Sequence, residues 1–131
     1  VIKLYLAASF TRQAELRSYA KLLRAKGFEV TSSWLTQLDD KTFATIKEAR
    51  AVATRDLFDM DDADAMIAFT ESEPTRGGHH VEFGYAIGMG MPVVIVGPIE
   101  NVFHTMRRYT RFDTFREALL YLTSHKNDGV L

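Results

Sequence analysis

Cysteine is absent from this 131-residue chain, which removes disulfides and thiolate metal sites from consideration. Linkers, internal repeats and low-complexity tracts are missing too, so residues 1–131 read as one domain, and 47% hydrophobic content suffices for its core. Neither sign of charge dominates, since 16 basic and 17 acidic residues leave a formal net charge of −1. That balance argues against a surface built to coat a nucleic acid polymer and favours small-molecule ligands. No apolar run has the length of a membrane span or a signal peptide. The expectation is a soluble, cytoplasmic protein with no membrane contact.

What is present alternates between strand and helix patterns. Ile2 to Ala8 reads as a buried strand, followed by a helical face of Ala14, Leu16, Tyr19, Ala20 and Leu23 that ends near Gly27. Phe28 to Ser32 is a second strand, and Trp34 to Thr42 is polar and turn-like. Ile46, Ala49, Ala53, Leu57 and Met60 form one apolar helix stripe before a third strand, Asp64 to Thr70. A fourth strand spans Pro92 to Val96 and a short fifth lies at Arg111 to Asp113. Thr114 and Glu117 form a capping-box pattern that opens the last helix. Such alternation with apolar strands implies an α/β fold: a five-stranded parallel sheet covered on both faces, a doubly wound, flavodoxin-like α/β/α sandwich.

The segment from Arg76 to Ala86, running into Met91-Pro92-Val93, is the most informative. A glycine pair, Gly77 and Gly78, feeds a helix whose first turn is expected to carry Glu82. Ligands of parallel sheets sit beyond the carboxyl ends of the strands, where helix starts face them. A carboxylate there is either a partner of the helix dipole or a reagent.

Several motifs in collinear order resemble one family. They are Tyr5-Leu6-Ala7-Ala8-Ser9-Phe10 on the first strand, Asp56-Leu57 late in the second helix, and Asp64-Ala65-Met66-Ile67-Ala68 on the third strand. Gly78-x-x-x-Glu82-x-Gly84-Tyr85-Ala86 with Met91-Pro92-Val93 completes the set. Together, from Lys3 to about Leu122, they resemble nucleoside 2-deoxyribosyltransferases, a group that includes related nucleoside monophosphate N-glycosidases.

The resemblance implies double displacement at the anomeric carbon of a 2-deoxyribonucleoside. The family's nucleophilic glutamate maps onto Glu82, its orienting tyrosine onto Tyr5, and its acid–base aspartate onto Asp56. The partners implied are a nucleoside or nucleotide and a free base, and a homo-oligomer follows by analogy with relatives that complete their pockets across subunit contacts. Alternatives are hydrolysis of a nucleoside 5′-monophosphate, a nucleotide-sensing module without turnover, and an NAD-cleaving domain on a similar fold.

Arg76 departs from the family pattern. Six residues before the nucleophile, transferases of free nucleosides usually carry an aspartate, and the monophosphate hydrolases a small hydroxyl residue. A guanidinium suits a bidentate grip on phosphate, and Gly77, Gly78, His79 and His80 stand beside it. Ser9, Thr11 and Arg12 offer further donors at the first strand-to-helix turn, or cap that helix. Phe10 and Trp34 are candidates for stacking on the base, or else hydrophobic staples. Asn101, in the segment after the fourth strand, is a candidate for hydrogen bonding to the base.

Other residues read as structural. Asp61 and Asp62 are taken as solvated surface charges or helix-end signals, Asp64 as satisfying loop backbone, and Tyr85 and Met89 as facing the sheet. No regular loop-ligand spacing among the carboxylates supports a hard cation, so neither metal nor cofactor is expected.

Overall fold

A computed structural model describes residues 1–37, 45–73, 75 and 77–127. Its strands are β1 (Lys3–Ala7), β2 (Glu29–Val30), β3 (Ala65–Phe69), β4 (Val93–Val96) and β5 (Thr110–Phe112). Its helices are α1 (Gln13–Ala25), α2 (Ile46–Asp61), α3 (Gly78–Met89) and α4 (Phe115–His125). Short 3-10 turns occupy Phe10–Arg12, Ser33–Thr36 and Val102–Thr105. Every strand pair is parallel and the order is β2-β1-β3-β4-β5. This is the expected flavodoxin-like winding, with its switch point between β1 and β3.

The register decides which face each strand residue serves. Tyr5 lies opposite Met66, so both point to one side of the sheet, whereas Phe69, three residues further along β3, points to the other. On the Phe69 side, Tyr19 of α1 stacks on Phe115 of α4 with ring centroids 4.0 Å apart, and on Phe69 at 5.5 Å. On the Tyr5 side lies α3, which buries His79, Phe83 and Ala86. The central strands β1, β3 and β4 are buried almost throughout, as a sheet covered on both faces requires.

Local chemistry explains the helix boundaries. The expected capping box forms at Thr114, whose hydroxyl accepts from the Glu117 amide at 3.3 Å while Glu117 accepts from the Thr114 amide at 3.2 Å. The Thr45 hydroxyl likewise accepts from the amide of Glu48 at 3.1 Å, starting α2. Asp64 satisfies backbone as expected, accepting from the amide of Lys3 at 2.8 Å.

Two expectations require correction. The α2 stripe is not a continuous core face: Met60 is buried, but Ile46 is 69% exposed, and Ala53 and Leu57 line a cavity. Its middle, from Val52 to Leu57, therefore borders the cavity. Met89 is exposed, because α3 turns its His79–Phe83–Ala86 side to the strands. Tyr85, half-buried, packs against the core and extends its hydroxyl to Asp61 at 2.8 Å, at the exposed end of α2. The expected turn after Trp34 is seen only to residue 37, the remainder lying outside the described residues.

Candidate active site

Beyond the carboxyl ends of β1 and β3 lies a cavity of about 820 Å3, a size suited to a small organic ligand. Its wall is assembled from distant segments. Ala8, Ser9, Phe10 and Thr11 follow β1, Trp34 and Gln37 follow β2, and Val52, Ala53, Asp56 and Leu57 come from α2. Glu71, Glu73 and Thr75 follow β3, and Gly77, Gly78, His79, Val81 and Glu82 open α3.

Glu82 stands in the second turn of α3, five residues beyond its N-cap Gly77, and not in the first turn as expected. The helix begins at Gly78, so four residues precede Glu82 within it, and the simple helix-dipole account of its charge loses force. Its carboxylate instead accepts a hydrogen bond from the Tyr5 hydroxyl. Tyr5 is fully buried, so the same side chain packs in the core and spends its hydroxyl on Glu82, which lines the cavity.

The electrostatics follow from this burial. Desolvation pushes the Glu82 carboxyl up to about 7; the Tyr5 hydrogen bond opposes the shift and the Asp56 charge adds to it. Tyr5 is driven far above the ordinary phenol range, first by burial and then by the Glu82 and Asp56 charges, so it remains a donor. Burial also raises Asp56, against a hydrogen bond from Arg55, whose guanidinium donates to its Oδ1 at 2.9 and 3.2 Å.

The other expected contacts divide. Ser9, Phe10, Trp34, Gly77, Gly78 and His79 all reach the cavity wall. Trp34 is buried and its indole N–H donates to the Leu6 carbonyl at 2.8 Å, which fixes it as wall beside Phe10. Arg12 does not line the cavity: its guanidinium binds Glu15 at 2.8 Å, Glu71 at 2.6 Å and the Thr70 carbonyl at 3.2 Å. Asn101 is also off the wall, its Oδ1 accepting from the Phe103 amide to start a 3-10 turn. Arg76 lies outside the described residues. Gln37, Glu71, Glu73 and Thr75 reach the wall without having been singled out, because loop residues carry no periodicity that marks them in sequence.

One further cluster adjoins the cavity. The Glu100 carboxylate receives Nε2 of His79 at 3.2 Å, Nε2 of His80 at 2.8 Å and the Glu71 amide at 2.9 Å. Among the described residues these three side chains are the one group whose ligand atoms approach closely enough, within 4.8 Å, to bear on metal binding.

With this geometry in view, the sequence matches the nucleoside 2-deoxyribosyltransferase family over residues 4–117. The chain belongs to that family. Membership supports deoxyribosyltransferase or nucleotide N-glycosidase activity on nucleosides or nucleotides and bases. Among solved structures, the fold is similar to the 2-deoxyribosyltransferase of Bacillus psychrosaccharolyticus, with TM-score 0.74, 24% identity, and coverage of 88% of this chain and 89% of that one. It is also similar to the Clostridium botulinum CMP N-glycosidase, with TM-score 0.58, 21% identity and coverage of 92% and 97%. A conserved protein from Enterococcus faecalis V583 has TM-score 0.59 at 18% identity, with 96% and 99% covered. No curated protein matches at a significant level by sequence. Within the family fold, the cavity lies where parallel sheets bind their ligands.

Proposed function

We propose that this chain cleaves the N-glycosidic bond of 2′-deoxynucleosides and transfers the deoxyribosyl group to an acceptor base. The observation that carries this reading is the Tyr5–Glu82 hydrogen bond at the wall of a cavity that Asp56 also lines. A Glu82 oxygen attacks the anomeric carbon and forms an ester as the carbon–nitrogen bond breaks. The electron pair of that bond leaves on the base nitrogen, which Asp56 protonates. In the return step the acceptor base attacks the same carbon, Glu82 departs as carboxylate, and Asp56 recovers a proton.

Charge supports a free nucleoside as donor. The described wall carries the acids Asp56, Glu71, Glu73 and Glu82, and the nearby guanidinium groups of Arg12 and Arg55 are held by Glu15, Glu71 and Asp56. Of these described acids, Glu73 and Glu82 are not in an ion pair with Arg12 or Arg55, and their charge disfavours a 5′-phosphate dianion beside them. The runner-up, hydrolysis of a nucleoside 5′-monophosphate, draws support from the α3 start, where Gly77 and Gly78 face the cavity with no side-chain cap.

Product analysis separates the two. Deoxynucleosides and their 5′-monophosphates are incubated with and without a second base, alongside Glu82→Ala. New nucleoside formed only with acceptor and parent protein is the expected result; base and sugar phosphate released from monophosphates alone would overturn it. Ile46 and Phe58 on α2 and Val81 on α3 are exposed apolar side chains that support a homo-oligomer, testable by sedimentation.

A further inference from the structure

The hydrogen bonds around Glu100 have a definite polarity. Asn101 Oδ1 accepts from the Phe103 amide at 2.9 Å, so its Nδ2 is the atom facing His80 Nδ1 at 3.3 Å. A donor at Nδ1 makes that nitrogen the acceptor and leaves the proton of His80 on Nε2, aimed at Glu100 Oε2 at 2.8 Å. His79 donates its Nε2 proton to Glu100 Oε1 at 3.2 Å, while its Nδ1 lies 3.5 Å from the Thr75 hydroxyl. A metal on His80 Nε2 would leave Nδ1 to donate to an acceptor, whereas here Nδ1 faces the Asn101 amide donor. His80 is therefore arranged to donate to the Glu100 carboxylate.

That carboxylate joins three segments. Its side chain is only 12% exposed, and it gathers the loop after β3 through the Glu71 amide, the first turn of α3 through His79 and His80, and its own loop after β4. The start of α3 needs such an anchor. Its N-cap is Gly77 at φ 91°, which supplies no side-chain cap. His79 lies three residues before Glu82, on a neighbouring part of the helix surface, and both line the cavity.

We infer that Glu100 is a positioning residue: through His79 and His80 it fixes the first turns of α3 and so sets where the Glu82 carboxylate stands relative to the reacting carbon. This rests on the reading of Glu82 as the nucleophile. Misplacing a reacting group by about 1 Å can cost a hundredfold in rate. Glu100→Gln keeps the shape and one acceptor oxygen for Glu71 and His79 but turns a donor toward His80. Glu100→Ala removes all three contacts.

The test is single-turnover formation of the Glu82 ester, without acceptor base, followed by intact mass on the quenched parent, Glu100→Gln and Glu100→Ala, using the deoxynucleoside that the parent cleaves best. The rate constant is expected to fall about 10- to 100-fold in Glu100→Ala and less in Glu100→Gln. The amplitude stays at one ester per subunit and the donor KM hardly moves. A lower amplitude with an unchanged rate constant would mean that Glu100 only keeps the chain folded, and parental rates in both variants would remove its role altogether. Loss of the parent's activity on adding EDTA would show that the cluster holds an ion and overturn the inference. A parent that forms no ester would instead overturn the Glu82 chemistry itself, a result distinct from a normal parent with unaffected variants.

Discussion

The hydroxyl of Tyr5, in the buried first strand, donates to the carboxylate of Glu82 on the third helix, 77 residues away in sequence. Parallel pairing places the end of β1 beside the end of β3, and α3 returns over that edge. The bond opposes a burial that pushes Glu82 up to about 7. In the proposed reaction Glu82 attacks as the carboxylate, the form that this hydrogen bond favours.

Tyr5→Phe preserves the buried ring and removes the donor. Turnover is expected to fall about 10- to 100-fold, the worth of one hydrogen bond to a charged group. Activity should rise as Glu82 ionises around pH 7, and in the variant this limb moves to higher pH because the interaction favouring the anion is gone. The pH dependence of kcat/KM reads the shift directly; an unmoved limb would separate Tyr5 from Glu82.

Glu82→Gln should abolish ester formation yet stabilise the fold at alkaline pH. Burial raises the folded-state value from 4.5 to about 7, so the folded protein binds this proton more tightly than the unfolded chain does. Stability from this group is full below 4.5 and is lost as pH rises through about 7. The glutamine variant escapes that loss, gaining roughly 3 kcal/mol above pH 7 and little below pH 4.5. Urea unfolding at pH 8 and at pH 4 compares the two directly.

Asp56→Asn removes the proposed proton donor while keeping its size. Cleavage of ordinary deoxynucleosides is expected to slow by about 100- to 10,000-fold. A deoxyriboside with a nitrophenolate leaving group, which departs without a proton, should lose far less. Equal losses on both would mean that Asp56 acts on the sugar or on Glu82 instead.

Gly97, just after β4, adopts φ 122°, and a Cβ there would meet Thr70 Oγ1 at 2.5 Å and the Thr70 carbonyl at 3.0 Å. Gly97→Ala combines a left-handed backbone with contact against the segment leading to Glu71. A loss of roughly 2–4 kcal/mol is expected in denaturant unfolding. A change below about 0.5 kcal/mol would show that the two loops separate easily.

The strand-helix order, the parallel sheet and the Thr114 cap were legible because hydrophobic periodicity and capping report local structure, which nearest neighbours in sequence largely determine. The same patterns placed Glu82 one turn too early and overstated the α2 stripe, since a helix facing a cavity can be as apolar as one facing the core. Arg12 and Asn101 looked like hydrogen-bonding partners for a ligand by residue type, yet Glu15 and Glu71 hold the Arg12 guanidinium, and the Phe103 amide and His80 take up the Asn101 side chain. Their partners lie in other segments or depend on a specific turn geometry, and a linear pattern carries no such information. The chain by itself thus determined which elements form and which polar residues fall at the strand ends. Only the tertiary structure decided which of those residues meet: register set Tyr5 against Glu82, and loop packing drew His79, His80 and Glu100 together, because hydrogen bonds depend on distance in space rather than on separation along the chain.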